Sequence, residues 1–332
     1  MIEARLPALL SGAPGVGKSD IVEQAARAAK ADLIVSHPVV SDPTEAKGLP
    51  WLKEGSKMAT FLPFEDLYRA LNAKKLTVWN LEDLGQAPPA TQASYMQLLL
   101  ARRANGHKLP DCVTFIASTN RRTDRAGVSG VLEPVKSRFV SIVNVEPNLD
   151  DWCTWAIKND MPAELIAFLR FRDELLHQFN PTLDLVNSPC PRTWASVGKL
   201  TKLDLSERVE LQAIQGAVGE GAAGEYVGFL RIWRELPSLD EILVDPDAAP
   251  IPEKPAALYA TAVGLAAKAN PNNFDRVAKY AERLHASVPP KGEFAVLLVR
   301  DSVRRNRAIC NTPAYIKLAS SEVGKLFTGE ED

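Results

Sequence analysis

Eight residues near the start, Gly12-Ala13-Pro14-Gly15-Val16-Gly17-Lys18-Ser19, constrain this chain more than any other feature. They fit GxxxxGK[ST] at every fixed position. A chance match somewhere in 332 residues is on the order of one in a hundred. The flanks agree with the motif. Apolar Ala8-Leu9-Leu10 precedes it, and Asp20 to Ala31 reads as a helix with Ile21, Val22, Ala25, Ala28 and Ala29 on one side. Glycines let backbone N–H groups turn inward around phosphate oxygens, and the helix N-terminus adds a positive dipole end. Lys18 is placed to reach the β- and γ-phosphates, and the Ser19 hydroxyl to ligate Mg²⁺. ATP and Mg²⁺ are therefore the expected cofactors.

Strands alternate with helices over the first third. Leu33-Ile34-Val35, Leu76 to Leu81, Val113 to Ser118 and Phe139 to Val145 read as strands; Pro63 to Ala73 and Pro88 to Arg103 read as helices. That pattern predicts a mainly parallel sheet covered on both faces. The texture changes near Asn148, and the rest is helical. The expected divisions are an α/β core over 1–148, a helical lid over 149–236, a Pro-rich acidic linker over 237–255, and a further helical region over 256–332. Thr328 to Asp332 reads as a frayed acidic tail. Trp152, Trp155, Trp194 and Trp233 fall at helical positions and are expected in the lid core.

A nucleotide hydrolase of this type needs acids at the end of a neighbouring strand, one for the metal and one to polarise water. Leu76-Thr77-Val78-Trp79-Asn80-Leu81-Glu82-Asp83 supplies two, with Asn80 interrupting the apolar run. Glu82 is assigned to magnesium and Asp83 to water. The usual order is Asp-Glu. With Asp in the second place the base stands back by roughly 1.5 Å, a misplacement that can cost ~100-fold. A third strand, Phe115-Ile116-Ala117-Ser118-Thr119, ends in Asn120, whose amide is suited to the attacking water or the γ-phosphate.

Together these elements resemble an AAA+ ATPase of the MoxR type, in the form carried by bacteriophages and prophages. The resemblance covers about residues 8–235. Leu84-Gly85-Gln86-Ala87-Pro88-Pro89-Ala90-Thr91-Gln92 resembles the family segment in which Asp-Glu is followed by Ile-Asn-Arg-Ala-Pro-Pro and a Gln. The resemblance implies a P-loop AAA+ core, with Asn120 as sensor 1, Arg138 in Leu132 to Phe139 as the arginine finger, and Arg192 in Ser188 to Thr193 as sensor 2. It also implies hairpins at Lys47 to Phe61 and Arg102 to Asp111 that face the pore of a ring. Asn105-Gly106 is by itself a strong hairpin signal. The eleven residues before Gly12 are fewer than the family packs on the adenine, so a start upstream of Met1 is one reading.

The resemblance implies a ring-forming remodeller of a protein partner, a hexamer, with sites shared between subunits and a partner carrying a von Willebrand factor A domain. Two alternatives stand beside it. One is a DNA-directed AAA+ protein, such as a helicase loader or clamp-loader-like subunit; the other is a slow nucleotide-binding switch. Thirty-nine basic and 41 acidic side chains leave a net charge of −2, which counts against a chain that coats nucleic acid. Arg121-Arg122-Thr123-Asp124-Arg125 reads as a subunit-interface or solvated loop. Arg300, Arg304, Arg305 and Arg307 read as a solvated helix face or a contact for nucleic acid or an acidic partner. Four scattered cysteines and four scattered histidines offer no zinc pattern, and no apolar stretch is long enough for a membrane span. The expected location is the bacterial cytoplasm.

Overall fold

The computed structural model describes residues 1–328 apart from 53, 56, 125–129, 183 and 237. Arg125 and the tail 329–332 thus lie outside the described residues. The chain divides into two compact units, Met1–Glu146 and Pro147–Asp332.

The first unit begins with β1 (Ala8–Gly12), α1 (Lys18–Ala28) and β2 (Asp32–Ser36). A hairpin of β3 (Leu49–Leu52) and β4 (Ala59–Leu62) follows, then α2 (Glu65–Leu71) and β5 (Thr77–Leu81). Next come α3 (Pro89–Ser94), α4 (Met96–Ala101) and a short hairpin of β6 (Arg103–Ala104) and β7 (His107–Lys108). The unit closes with β8 (Val113–Thr119), α5 (Glu133–Lys136) and β9 (Ser141–Val145). Five strands form a parallel sheet in the order β2-β5-β8-β1-β9. The expected α/β class with a parallel sheet and a helical continuation is borne out.

β5 and β8 are buried at every residue, which is why they read as near-continuous apolar runs. Side chains alternate between the two faces. Trp79, Leu81, Phe115 and Ala117 pack with Tyr95 and Leu98 on one face. Val78, Ile116 and Leu10 pack with Val22 and Ala26 of α1 on the other. The helix expected over 88–103 is instead two, because the turn at Tyr95 drops that ring edge-on against Trp79, centroids 6.4 Å apart. Both expected hairpins form, and they are stapled together. Asn105 Nδ2 donates to the Lys47 carbonyl at 2.7 Å, and His107 Nε2 lies 2.9 Å from the Phe61 carbonyl oxygen.

The second unit is helical. Phe168, Trp194 and Tyr226 centre its core, Trp152 is buried in it, and Trp155 and Trp233 pack against it. The segment 237–255 corrects the expected linker. It contains a helix, Leu239–Val244, and buries Ile242, Leu243 and Ala249 against helix Phe274–Ala286 and its neighbours. The Pro246 and Pro250 carbonyls accept from Arg283 and Tyr280. Ala256, Ala260 and Val263 of the next helix complete the core around Phe168. Of the arginines read as a solvated face or a partner contact, Arg300 is exposed and Arg304 half-buried. They line a cavity of about 350 Å³ beside Asp301, which is fully buried and bonded to Arg170 at 2.7 Å.

Candidate nucleotide site

The loops after β1, β5 and β8 all leave the carboxyl edge of the sheet, where open parallel sheets place their ligands. The first, Gly12 to Ser19, turns through Gly15 and Gly17 at φ 76° and 91°, the left-handed region that favours glycine. Gly12 is needed for another reason. A Cβ there would stand 2.6 Å from the Val145 carbonyl oxygen. Gly17 is the N-cap of α1 and supplies no side-chain acceptor to the helix's first turn. Lys18 is buried, and a buried ammonium must be satisfied. Its Nζ donates to the Gly12 and Ala13 carbonyls at 2.9 Å each and to Asn120 Oδ1 at 2.7 Å. The third loop is therefore brought to the first, with Asn120 touching the phosphate-loop lysine directly.

Glu82 and Asp83 follow β5. The Glu82 backbone N–H donates to the Ser36 carbonyl at 2.9 Å. Its Oε1 accepts from Asn80 Nδ2 at 3.2 Å, and its Oε2 lies 3.7 Å from His37 Nδ1. Asp83 has φ 54°, in the left-handed region. Asp and Asn enter that region more readily than Glu does. At this left-handed position Asp is therefore accommodated with less strain than Glu would be. The Asp83 N–H donates to Ser118 Oγ at 3.3 Å, and Gln86 Nε2 donates to Asp83 Oδ1 at 2.9 Å.

Arg138 lies just after α5, half-buried, with Nε donating to the Met96 carbonyl at 3.1 Å and Nη1 to the Pro134 carbonyl. The approach to α5 is fixed by Gln92, which is fully buried. Its Nε2 donates to the Ala87 and Gly130 carbonyls at 3.0 and 2.9 Å, and its Oε1 accepts from Leu132 N–H at 2.9 Å. Gly130 N–H in turn donates to the Gly85 carbonyl at 3.1 Å. A Cβ on Gly85 would meet Thr119 Oγ1 at 2.1 Å, so only glycine lets the loop after β5 lie on the end of β8. Arg121 is held by Asp124 and Glu146 at 3.3 and 3.0 Å. Arg192 is exposed in the first turn of helix Pro191–Thr201, in the second unit.

These residues fit a Mg²⁺–nucleotide. A glycine-capped helix start beside a buried ammonium accepts polyphosphate, and a hydroxyl with one carboxylate suits a hard cation that takes its remaining ligands from phosphate and water. No group of three or more His, Cys, Asp or Glu among the described residues forms a metal cage. Sequence reasoning passed over Gln92, Gly85, Ser118 and His37 as site residues. Only the amide in the middle of an apolar strand, Asn80, carried a visible signal.

No protein-family model and no curated protein matches the sequence. Among solved structures, a P216G mutant of Thermotoga maritima RuvB matches 78% of this chain and 75% of its own, with 14% identity and a TM-score of 0.40. The T. maritima RuvB Holliday junction branch migration motor matches 80% and 78%, with 16% identity and a TM-score of 0.38. NtrX from Brucella abortus matches 68% and 62%, with 16% identity and a TM-score of 0.33. Likenesses at this level do not assign a role. The class of this chain rests on its own sheet order and the residues gathered at its edge.

Proposed function

We propose that this chain binds and hydrolyses ATP with Mg²⁺ as an AAA+ ATPase of the MoxR type, and works as a ring that remodels a protein partner. The observation that carries the ATPase reading is the contact of Lys18 with Asn120 inside a complete phosphate loop. Magnesium, when bound, neutralises charge between the β- and γ-phosphates. Ser19 and Glu82 would hold it, Lys18 would hold the phosphates, and Asp83 with Asn120 would orient the attacking water. Arg138 would act on a neighbouring subunit's nucleotide. Arg192 would serve as the second sensor.

The commitment of Asp83 to Gln86 supports slow turnover, in which state lifetime matters more than rate. A protein partner is favoured over DNA by the β3–β4 hairpin. It exposes Leu49, Trp51, Leu52 and Leu62, an apolar surface of the kind that meets protein partners, beside an exposed Lys57. By its resemblance the partner would carry a von Willebrand factor A domain. Single-turnover ATP hydrolysis with and without Mg²⁺, repeated with DNA across a salt series, tests the reading. Mg²⁺-dependent hydrolysis that DNA leaves unchanged is expected. A DNA-stimulated rate with a steep salt slope would turn it toward the DNA-directed alternative. Light scattering with ATP should show a ring.

A further inference from the structure

Asn80 is the least expected residue in β5. It sits in the middle of a five-stranded sheet, opposite Val35 of β2 and Ile116 of β8, and it is 1% exposed. A valine there would continue the apolar face that Val78 shares with Ile116 and Val22. The amide satisfies itself only in part. A carboxylate accepts and cannot donate, so Nδ2 must face Glu82, at 3.2 Å. Oδ1 is then turned away, buried and without a hydrogen-bond partner. Burying an unsatisfied acceptor is unfavourable, and the fold gains nothing from it that an aliphatic side chain would not give.

We infer that Asn80 is a positioning residue for Glu82, and so sets the affinity of this site for its divalent cation. The inference rests on the ATPase reading above. With Oε1 tied to Asn80, the carboxylate is held in one rotation, which leaves Oε2, 3.7 Å from His37 Nδ1, as the oxygen that would meet the cation. Hydrogen-bond partners behind a metal ligand typically change metal affinity by 10–100-fold when removed. Glu82 is the only protein carboxylate assigned to the ion, so its orientation has few substitutes. The role separates stability from cation binding, which a merely structural asparagine would not do.

The test uses the full chain and follows nucleotide-induced thermal stabilisation with a non-hydrolysable ATP analogue, in EDTA and across a Mg²⁺ titration. Asn80→Val should melt at or above the wild-type temperature without nucleotide. It should bind the analogue as well as wild type in EDTA, and need at least tenfold more Mg²⁺ for half of the Mg²⁺-dependent shift. Asn80→Asp, which cannot donate to Glu82 when ionised, should show the same Mg²⁺ requirement without the gain in stability. An unchanged Mg²⁺ requirement in Asn80→Val overturns the inference. So does failure of Asn80→Val to fold, since the amide would then be serving the sheet. If wild-type protein itself shows no Mg²⁺-dependent shift, the ATPase reading falls and takes this inference with it; that outcome is distinct because it appears before any variant is made.

Discussion

Lys18 Nζ and Asn120 Oδ1 meet at 2.7 Å across 102 positions of sequence, so the phosphate loop and the end of β8 share one hydrogen bond. Two further acceptors of that ammonium are carbonyls of the loop itself. These three acceptors are neutral, so a phosphate oxygen competes with none of them for charge.

Two substitutions test this arrangement. Lys18→Ala should weaken ATP binding by at least ~100-fold, since hydrogen bonds to a charged group are worth about 1.5–3 kcal/mol each. Asn120→Asp should also weaken it, by about tenfold, because a carboxylate would then hold the ammonium that phosphate needs. Calorimetric titration with ATP measures both. Undiminished affinity in Lys18→Ala would remove the nucleotide site.

Asp83 ties the acid loop to the question of rate. Asp83→Asn keeps the left-handed backbone comfortable and should retain ATP binding while single-turnover hydrolysis falls by ~100-fold. Asp83→Glu lengthens the carboxylate toward the water at a cost of roughly 1–2 kcal/mol in backbone strain. It should melt lower and hydrolyse faster. A faster rate with no loss of stability would mean that the loop does not favour Asp for backbone reasons.

The parts of this architecture that were legible in the sequence are those with short-range signatures. The phosphate loop is contiguous, and β5 and β8 announce themselves by apolar runs because they are buried on both faces. What stayed hidden depends on long-range pairing. Gln92 looks like a helical surface amide, yet it is buried because residues 130 and 132 fold back onto it. The left-handed turn at Asp83 has no glycine to advertise it. The segment 237–255 has the composition of a linker, but Ile242, Leu243 and Ala249 find a core contributed by helices further along the chain.

That packing predicts how the second unit behaves when cut. A fragment of residues 147–332 should fold and unfold in one cooperative transition. A fragment ending at residue 236 should not, because it lacks Ala256, Ala260 and Val263 from its own core. In limited proteolysis, residues 237–255 should resist cleavage. Early cleavage there, or a well-folded 147–236 fragment, would restore the picture of separable regions.

Asp301 supplies a pH test of the same unit. Burial raises its carboxyl above the ordinary 3.8, with Arg170, Arg304, Arg305 and Arg300 pulling it back down. The folded state therefore holds this proton more tightly than the unfolded chain. Its contribution to stability is full below about pH 3.8 and is lost as pH rises from there through the higher folded-state value. Asp301→Asn should remove that dependence. At neutral pH it should remove the counter-charge of Arg170 while leaving an amide oxygen to accept from it, so its Tm should lie above that of Asp301→Ala, which leaves neither. Thermal melts of these proteins, from acid to neutral pH, give the comparison. Parallel curves would show that Asp301 titrates as it does in the unfolded chain.

The assignment of Arg138 asks most of the protein, because it concerns two subunits. Its guanidinium rests on the Met96 and Pro134 carbonyls at the end of the segment that Gln92 anchors, and is only half-buried there. If it reaches a neighbour's γ-phosphate, Arg138→Ala should bind ATP normally and hydrolyse it ~10³-fold or more slowly. Gln92→Ala should resemble it more weakly, since it loosens the approach to α5 while leaving Lys18, Glu82 and Asp83 in place. Mixing separates a shared site from a private one. A subunit carrying Arg138→Ala keeps its own acids and can borrow the arginine of an Asp83→Asn neighbour. Activity should reappear in the mixture once subunits exchange, which fluorescence transfer between labelled subunits would verify. A mixture that exchanges yet stays inactive would place Arg138 in its own subunit's site or outside any site, and with it would go the strongest reason to expect an obligatory ring.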